Sequence, residues 1–448
     1  MLPPLRSFLA TLREVEDVET VVARRVVELD SMEEAFVREA KRLYPGVPTE
    51  VHRRAAEIVH RKIHERMDRT EQLLRAGVPE EGMQAFAITW AEDLRAKLAI
   101  VRGDEYDFQR YAPVWNRARV KRPMGQILRN SLLTAAVSGF EVLVSGLVRA
   151  FLALKPEVLR QSDRKYLYSE VELFTTLDEF RDHCAEVTAD NLLRGGFDEW
   201  MEWFSRRHKL AITGVTDSAT ELREIFQRRH LLVHNGGVVN RYYLSKLGEV
   251  DDPPDLGDKL WVTPDYLAKA LDELTVAGVK LAASLLLKIA SNEQDREIVH
   301  DELRHIAYEL LCAERWSTSA RLDEWHLSFL VDDSWRLVAR VNLWVAQKRM
   351  WGVEYVRQDV ECWNTETLAS KYLLAKLALL DRNEDAYELV KRLILSNEIN
   401  SDNWTNWPVL EGVRQYESEE ISVSDWVAPA PFGDAHSDVS DSVADSNL

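Results

Sequence analysis

Apolar residues recur at three- and four-residue spacing along nearly the whole chain, which is the signature of amphipathic helices rather than strands. The pattern predicts helices over Thr20–Leu43 and Glu50–Leu74, separated by the turn Pro45-Gly46-Val47-Pro48. Met83–Val101 is a third, followed by a loop containing Tyr106, Phe108, Tyr111, Pro113 and Pro123. Ile127–Leu154 is predicted as a long helix of high apolar content, closed by Pro156. Further helices are predicted over Phe180–Leu193, Phe197–His208, Ser218–His234 and Thr263–Ile289. The last begins on a capping threonine followed by a proline at the first helical position. Gly257–Val262 reads as an extended piece too short to matter, so the expected fold class is all-α.

From Glu293 the composition changes, and nine of the fourteen tryptophans fall between Trp316 and Trp426. Asn342–Gly352 followed by Val353–Trp363 resembles Lys371–Asn383 followed by Glu384–Leu395, with Gly352 and Asn383 31 residues apart. This looks like tetratricopeptide-type packing, which usually supports contacts with a protein partner. The other reading is a helical extension of the core in which the tryptophans are packing. After Tyr416 the chain is rich in Ser, Asp, Ala and Val, the composition of a disordered acidic tail. The expected divisions are an N-terminal helical region (1–115), a central helical domain (126–292), a helical-repeat-like region (296–416) and the tail (417–448).

Three cysteines, Cys184, Cys312 and Cys362, lie far apart and form no CxxC pair, so neither a zinc site nor a disulfide framework is expected. A reducing, cytoplasmic setting fits that usage. The two most apolar stretches, Leu132–Leu154 and Leu267–Ile289, carry charged residues, and the N-terminus has no signal-type apolar run. No membrane role is expected. The net charge of -18 argues against a nucleic-acid partner until its distribution is read. Glu417–Leu448 holds eight acidic residues and no Lys or Arg, whereas Phe108–Phe140 holds basic residues and no acidic one. Charge is screened beyond roughly 8–10 Å, so a local basic stripe can bind phosphates on an acidic protein. Arg117, Arg119, Lys121, Arg122 and Arg129 are the RNA-binding candidates, with a docked basic linker as the alternative.

The stretch Arg228-Arg229-His230-Leu231-Leu232-Val233-His234-Asn235-Gly236-Gly237 carries the chemistry. An arginine can hold a phosphate, and an imidazole can move a proton near neutral pH. His234 sits where the glycine pair should end a helix, and carbonyls left unpaired there favour a protonated ring. Arg229 precedes it by five residues, about 140° around an ideal helix. One helix therefore does not bring the two together unless the arginine curls along it or a second copy faces it. Arg228 competes with Arg229 for the phosphate. On spacing alone, a solvated arginine pair and a glycine helix stop are the usual meaning of such a stretch.

Arg229-His230-Leu231-Leu232-Val233-His234 resembles the motif of the HEPN family (higher eukaryote and prokaryote nucleotide-binding domain). Its ribonucleases carry Arg, then Asn, Asp or His, three variable residues and His. Val137-Ser138-Gly139-Phe140-Glu141, the run from Val233 to Asn240, Tyr242-Tyr243-Leu244 and Val262-Thr263-Pro264-Asp265-Tyr266-Leu267 also look like members of this family. The resemblance covers about Ile127–Ile289. It implies an antiparallel four-helix bundle that pairs through the motif helix into a homodimer with a composite cleft. It further implies metal-independent RNA cleavage by 2′-OH attack, without a cofactor, in phage defence or a toxin–antitoxin system. By position, Arg229 and His234 would be catalytic, His230 would orient substrate or assist proton transfer, and Glu141 would order the site. Asn235 and Arg228 would support it. The alternative is a non-catalytic scaffold or nucleotide-binding module acting through protein contacts. His60 and His64, four apart on one helix, would make a metal pair, but Arg53, Arg54, Arg61, Lys62 and Arg66 around them would repel a cation.

Overall fold

The computed structural model describes residues 2–29, 31–102, 107–120, 124–161, 165–210, 212–248 and 253–420. Among these the protein is all-α, with one isolated bridge between Val238 and Lys259 in place of any sheet. The chain divides into two units, Met1–Val299 and His300–Leu448. The acidic tail expected at 417–448 lies almost wholly outside the described residues.

The first unit opens with α1 (Leu2–Leu29), α2 (Met32–Leu43), α3 (Thr49–Arg75), α4 (Glu80–Arg102) and α5 (Asp107–Val120). The single helix predicted over Thr20–Leu43 is two, because Ser31 starts α2 by accepting the Glu34 amide at 3.1 Å. The loop predicted around Pro113 is instead α5. Tyr111, Val114 and Ala118 lie on one face of it and bury against Phe36, Val59 and Leu98, and that burial outweighs the proline's lost hydrogen bond. His52, fully buried, locks this sub-core by hydrogen bonds to the Tyr111 hydroxyl at 3.0 Å and the Tyr44 carbonyl at 3.2 Å.

The bundle that carries the motif is built on α6 (Met124–Leu154). Around it come the single turn α7 (Tyr168–Val171), α8 (Leu177–Leu193), α9 (Phe197–Glu202) and the single turn α10 (Thr213–Thr216). After these come α11 (Ala219–Asn235), α12 (Arg241–Leu247) and α13 (Pro264–Ile289). By length and composition alone α6 could cross a membrane, a test that a buried core helix also passes. Here it packs against α1, α8, α11 and α13, burying Leu133, Val137, Phe140, Val144 and Leu147. Helix α1 belongs with this bundle rather than with the N-terminal region that the sequence division gave it. It lies along α6 and α13, and the Phe8 ring occupies the space that a Cβ on Gly278 would need.

The second unit runs through α14 (Glu293–Cys312), α15 (Trp316–Leu327), α16 (Asp333–Trp351), α17 (Val353–Cys362), α18 (Ser370–Leu379), α19 (Asn383–Leu395), α20 (Ser401–Asn406) and α21 (Glu411–Glu420). Neighbouring helices pack in order, α15 on α16, α16 on α17 and α18 on α19. The Lys348 ammonium at the end of α16 donates to the Ala378 carbonyl and to Asp381, tying one hairpin to the next. Trp344 is buried, and Trp316, Trp363, Trp404 and Trp407 pack against the same core. Trp335 and Trp351 are exposed. The tryptophan enrichment is thus largely packing.

Candidate active site

Burial of Leu222, Ile225 and Leu231 seats α11 on the bundle. The Phe226 ring completes the contact, 5.6 Å from Phe140, 5.2 Å from Trp200 and 5.8 Å from Phe197. Phe140 adjoins Glu141, and Phe226 precedes Arg229 by three residues. The aromatic cluster therefore sets the two charged side chains opposite each other. Arg229 Nη2 donates to both carboxylate oxygens of Glu141, at 3.1 and 2.9 Å, and both side chains are about one-quarter exposed (24% and 26%). Burial raises the Glu141 carboxyl above its ordinary range, against the pull of the Arg229 charge. Arg229 Nε is buried without an acceptor.

Arg228 points elsewhere. Its Nε donates to Glu224 at 2.6 Å, its Nη1 to the Trp261 carbonyl at 3.2 Å, and its guanidinium lies 3.9 Å from the Tyr266 ring centroid. Glu224 also accepts from the Tyr243 hydroxyl at 2.8 Å and from the Tyr266 hydroxyl. Burial and the Glu224 charge push both tyrosines above the ordinary phenol range. Arg228 thus helps to join α11 to α12 and α13, whereas Arg229 faces Glu141 on α6.

The glycine pair ends α11 as expected. Gly236 is left-handed (φ 60°), and the Gly237 amide reaches back to the Leu231 carbonyl at 3.1 Å. The extended piece that seemed too short to matter pairs with this end. The Leu260 amide donates to Gly237 at 2.8 Å and the Val239 amide to Asp258 at 2.7 Å. A Cβ on Gly237 (φ +84°) would come within 2.9 Å of the Leu260 carbonyl oxygen, so the position needs glycine on two counts. Beneath it Leu231, Val239, Tyr243 and Leu247 form a small core that fixes α12 against α11.

His230 and His234 are exposed on this capped end, with ring centroids 4.5 Å apart and 46° between planes. Partial desolvation, then the neighbouring His234 and Arg229, hold His230 below the ordinary histidine range. Tyr242 stands 5.8 Å from the His230 ring. Among the described residues no hydrogen bond joins Arg229 to His234. The 140° separation on the helix survives in the structure. Comparison with protein-family models, with curated proteins and with solved structures finds no match to this chain.

The remaining sequence candidates are dispersed. Asn235 does not face the histidines' chemistry directly, because its amide donates to the Val238 carbonyl and braces the turn. Arg129 pairs with Glu19 at 2.8 Å, each side chain 16% exposed, and Arg117 lies 3.9 Å from the buried Glu39. Arg129 is thus paired inside the protein, whereas the Arg117 side chain remains 53% exposed. Lys121 and Arg122, and the side chain of Arg119, lie outside the described residues. His60 and His64 line a 1040 Å³ cavity with Trp90, Tyr111 and Trp115. No group of three metal-ligating side chains occurs among the described residues. Sequence reasoning gave Glu224 no role, and Tyr242 none beyond its part in the family resemblance. The first had a local signal, a glutamate four residues before Arg228. The second had none, because α12 meets the histidines only through the Val239–Leu247 packing.

Proposed function

We propose that the protein is a metal-independent endoribonuclease whose site is the open end of α11. The observation that carries this reading is the division of labour between adjacent residues. Arg229 is held half-buried by Glu141, and His230 and His234 stand exposed beside it. In the proposed reaction the ribose 2′-oxygen attacks the adjacent phosphorus as its proton passes to an imidazole. The P–O5′ bond breaks, and the departing oxygen takes a proton from a second imidazole. A 2′,3′-cyclic phosphate and a 5′-OH remain. Arg229 would exchange its Glu141 contact for a non-bridging phosphate oxygen as charge builds there.

In-line displacement puts its acid and base at opposite apices, each a hydrogen bond of about 2.8 Å beyond its oxygen. Rings 4.5 Å apart leave no room for a phosphoryl group between them, so His230 and His234 of one copy cannot fill both places. We therefore assign the second imidazole to another copy of the chain. Val142 beside Glu141 (65% exposed) and Val233 beside His234 (52% exposed) are apolar side chains that such a pairing would cover.

The test is incubation with labelled RNA in EDTA. Cuts bearing cyclic phosphate ends are expected, and Arg229→Ala and His234→Ala should each abolish them. Cleavage that persists in both variants sinks the assignment. Val142→Asp with Val233→Asp should convert a dimer to monomers by light scattering and remove cleavage together. A fully active monomer would refute the two-copy site.

A further inference from the structure

Among the described residues, Tyr242 is the large aromatic ring left open beside the histidines, at 53% exposure, and its neighbours hold it there. Asn240 caps α12 by accepting the Tyr243 amide at 2.8 Å. Tyr243 is buried, and its hydroxyl is fixed to Glu224 at 2.8 Å. Leu247 is buried one turn on, so this short helix cannot roll. Lys246 Nζ lies 5.6 Å from the Tyr242 ring centroid. His230 thus neighbours both His234 and Tyr242, with centroids 4.5 and 5.8 Å away, and Lys246 lies beside Tyr242.

An exposed, preorganised ring flanked by a lysine is what a nucleobase and its phosphate bind. Bases stack on aromatic faces whatever their sequence, and the ammonium pairs with the backbone. We infer that Tyr242 is the stacking platform for the base next to the scissile phosphate, with Lys246 on the following phosphate, and that the substrate is single-stranded RNA. A base locked in a duplex presents no free face to Tyr242. A duplex also holds the 2′-oxygen out of line with the leaving oxygen. The inference rests on the nuclease reading for its place in a reaction, but not for the contact itself.

The two can be tested apart in full-length His234→Ala protein, which should bind without cutting. Fluorescence anisotropy with a labelled 12-nucleotide single strand should show about tenfold weaker binding on adding Tyr242→Ala. Tyr242→Phe and Tyr242→Trp should retain affinity, and a blunt duplex of the same sequence should bind less well than the strand. Unchanged thermal melting in Tyr242→Ala would confirm that the loss is of contact and not of fold. Equal affinity of the Tyr242→Ala and Tyr242 proteins for the single strand overturns the platform, even if the parent cleaves RNA. Tyr242-dependent binding in a parent that never cleaves keeps the platform and removes the nuclease.

Discussion

His230 and His234 stand one helical turn apart at the exposed end of α11, with ring centroids 4.5 Å apart. His300 and His326, brought together from α14 and α15, stack at 5.2 Å, with Nδ1 of the first 2.9 Å from Nε2 of the second. The spacing is similar and the surroundings are opposite. His326 is 1% exposed, and its Nδ1 is buried without a partner. Burial first, then the His300 and Arg304 charges, push it down to about 3, so it stays neutral across the working range. Asp323, one turn earlier on α15, is also buried, and desolvation raises its carboxyl well above the ordinary range. A pair of imidazoles is therefore not a proton-transfer site by virtue of proximity. The first pair differs in being open to solvent with Arg229 beside it, which is what the proposed function requires of it.

That contrast breaks most visibly in activity. Arg229→Ala or His234→Ala should lower RNA cleavage by roughly 100-fold or more, the usual scale for losing a proton carrier or a charge stabiliser. His326→Leu should leave the rate per folded molecule unchanged in the same gel assay. Equal losses at both pairs would mean that proximity alone matters.

The next effect is on stability against pH. In the unfolded chain His326 has the ordinary histidine value, and in the folded protein about 3. Between those values the unfolded state binds more protons, so folding weakens as pH falls below about 6.5 and the loss is complete below about 3. The group should cost on the order of 1.4 kcal/mol per pH unit in that window, or about 2 kcal/mol at pH 5 relative to pH 7. Urea unfolding at the two pH values should show the drop in the native protein and a smaller one in His326→Leu. An identical drop in both would assign the acid sensitivity elsewhere.

The smallest effect separates the adjacent arginines. Arg228→Ala removes an ion pair with Glu224 and a contact with the Tyr266 ring, and should cost about 1–3 kcal/mol of stability with little change in cleavage per folded molecule. Arg229→Ala should show the reverse pattern. Melting curves and initial rates on the two variants decide it.

The long periodic helices, the Thr263 cap and the glycine stop after α11 were legible in the sequence because each depends on neighbours a few residues away. Helix α5 was hidden by Pro113, although Tyr111, Val114 and Ala118 repeat at helical spacing around it. The break at Ser31 had a visible capping pair in Ser31 and Glu34, overridden by apolar residues that run through it. At the site, Arg229 and His234 were singled out by the family resemblance and not by spacing alone. The fate of Arg228 could not be read, because its partners Trp261 and Tyr266 come from 33 and 38 residues downstream. The acidic neighbours of the basic stripe were hidden for the same reason. Glu19 and Glu39, which engage Arg129 and Arg117, are far away in sequence and close only after folding.

Glu224 takes hydrogen bonds from Arg228, Tyr243 and Tyr266, donors that belong to three different helices. Sequence drift at these four positions is consequently not independent. Losing the acceptor strands three donors at once, and losing one donor leaves the carboxylate less balanced for the other two. Variants of this chain should cross such a position in sets rather than singly. A library randomising 224, 228, 243 and 266 together should recover folded combinations that no series of single steps reaches.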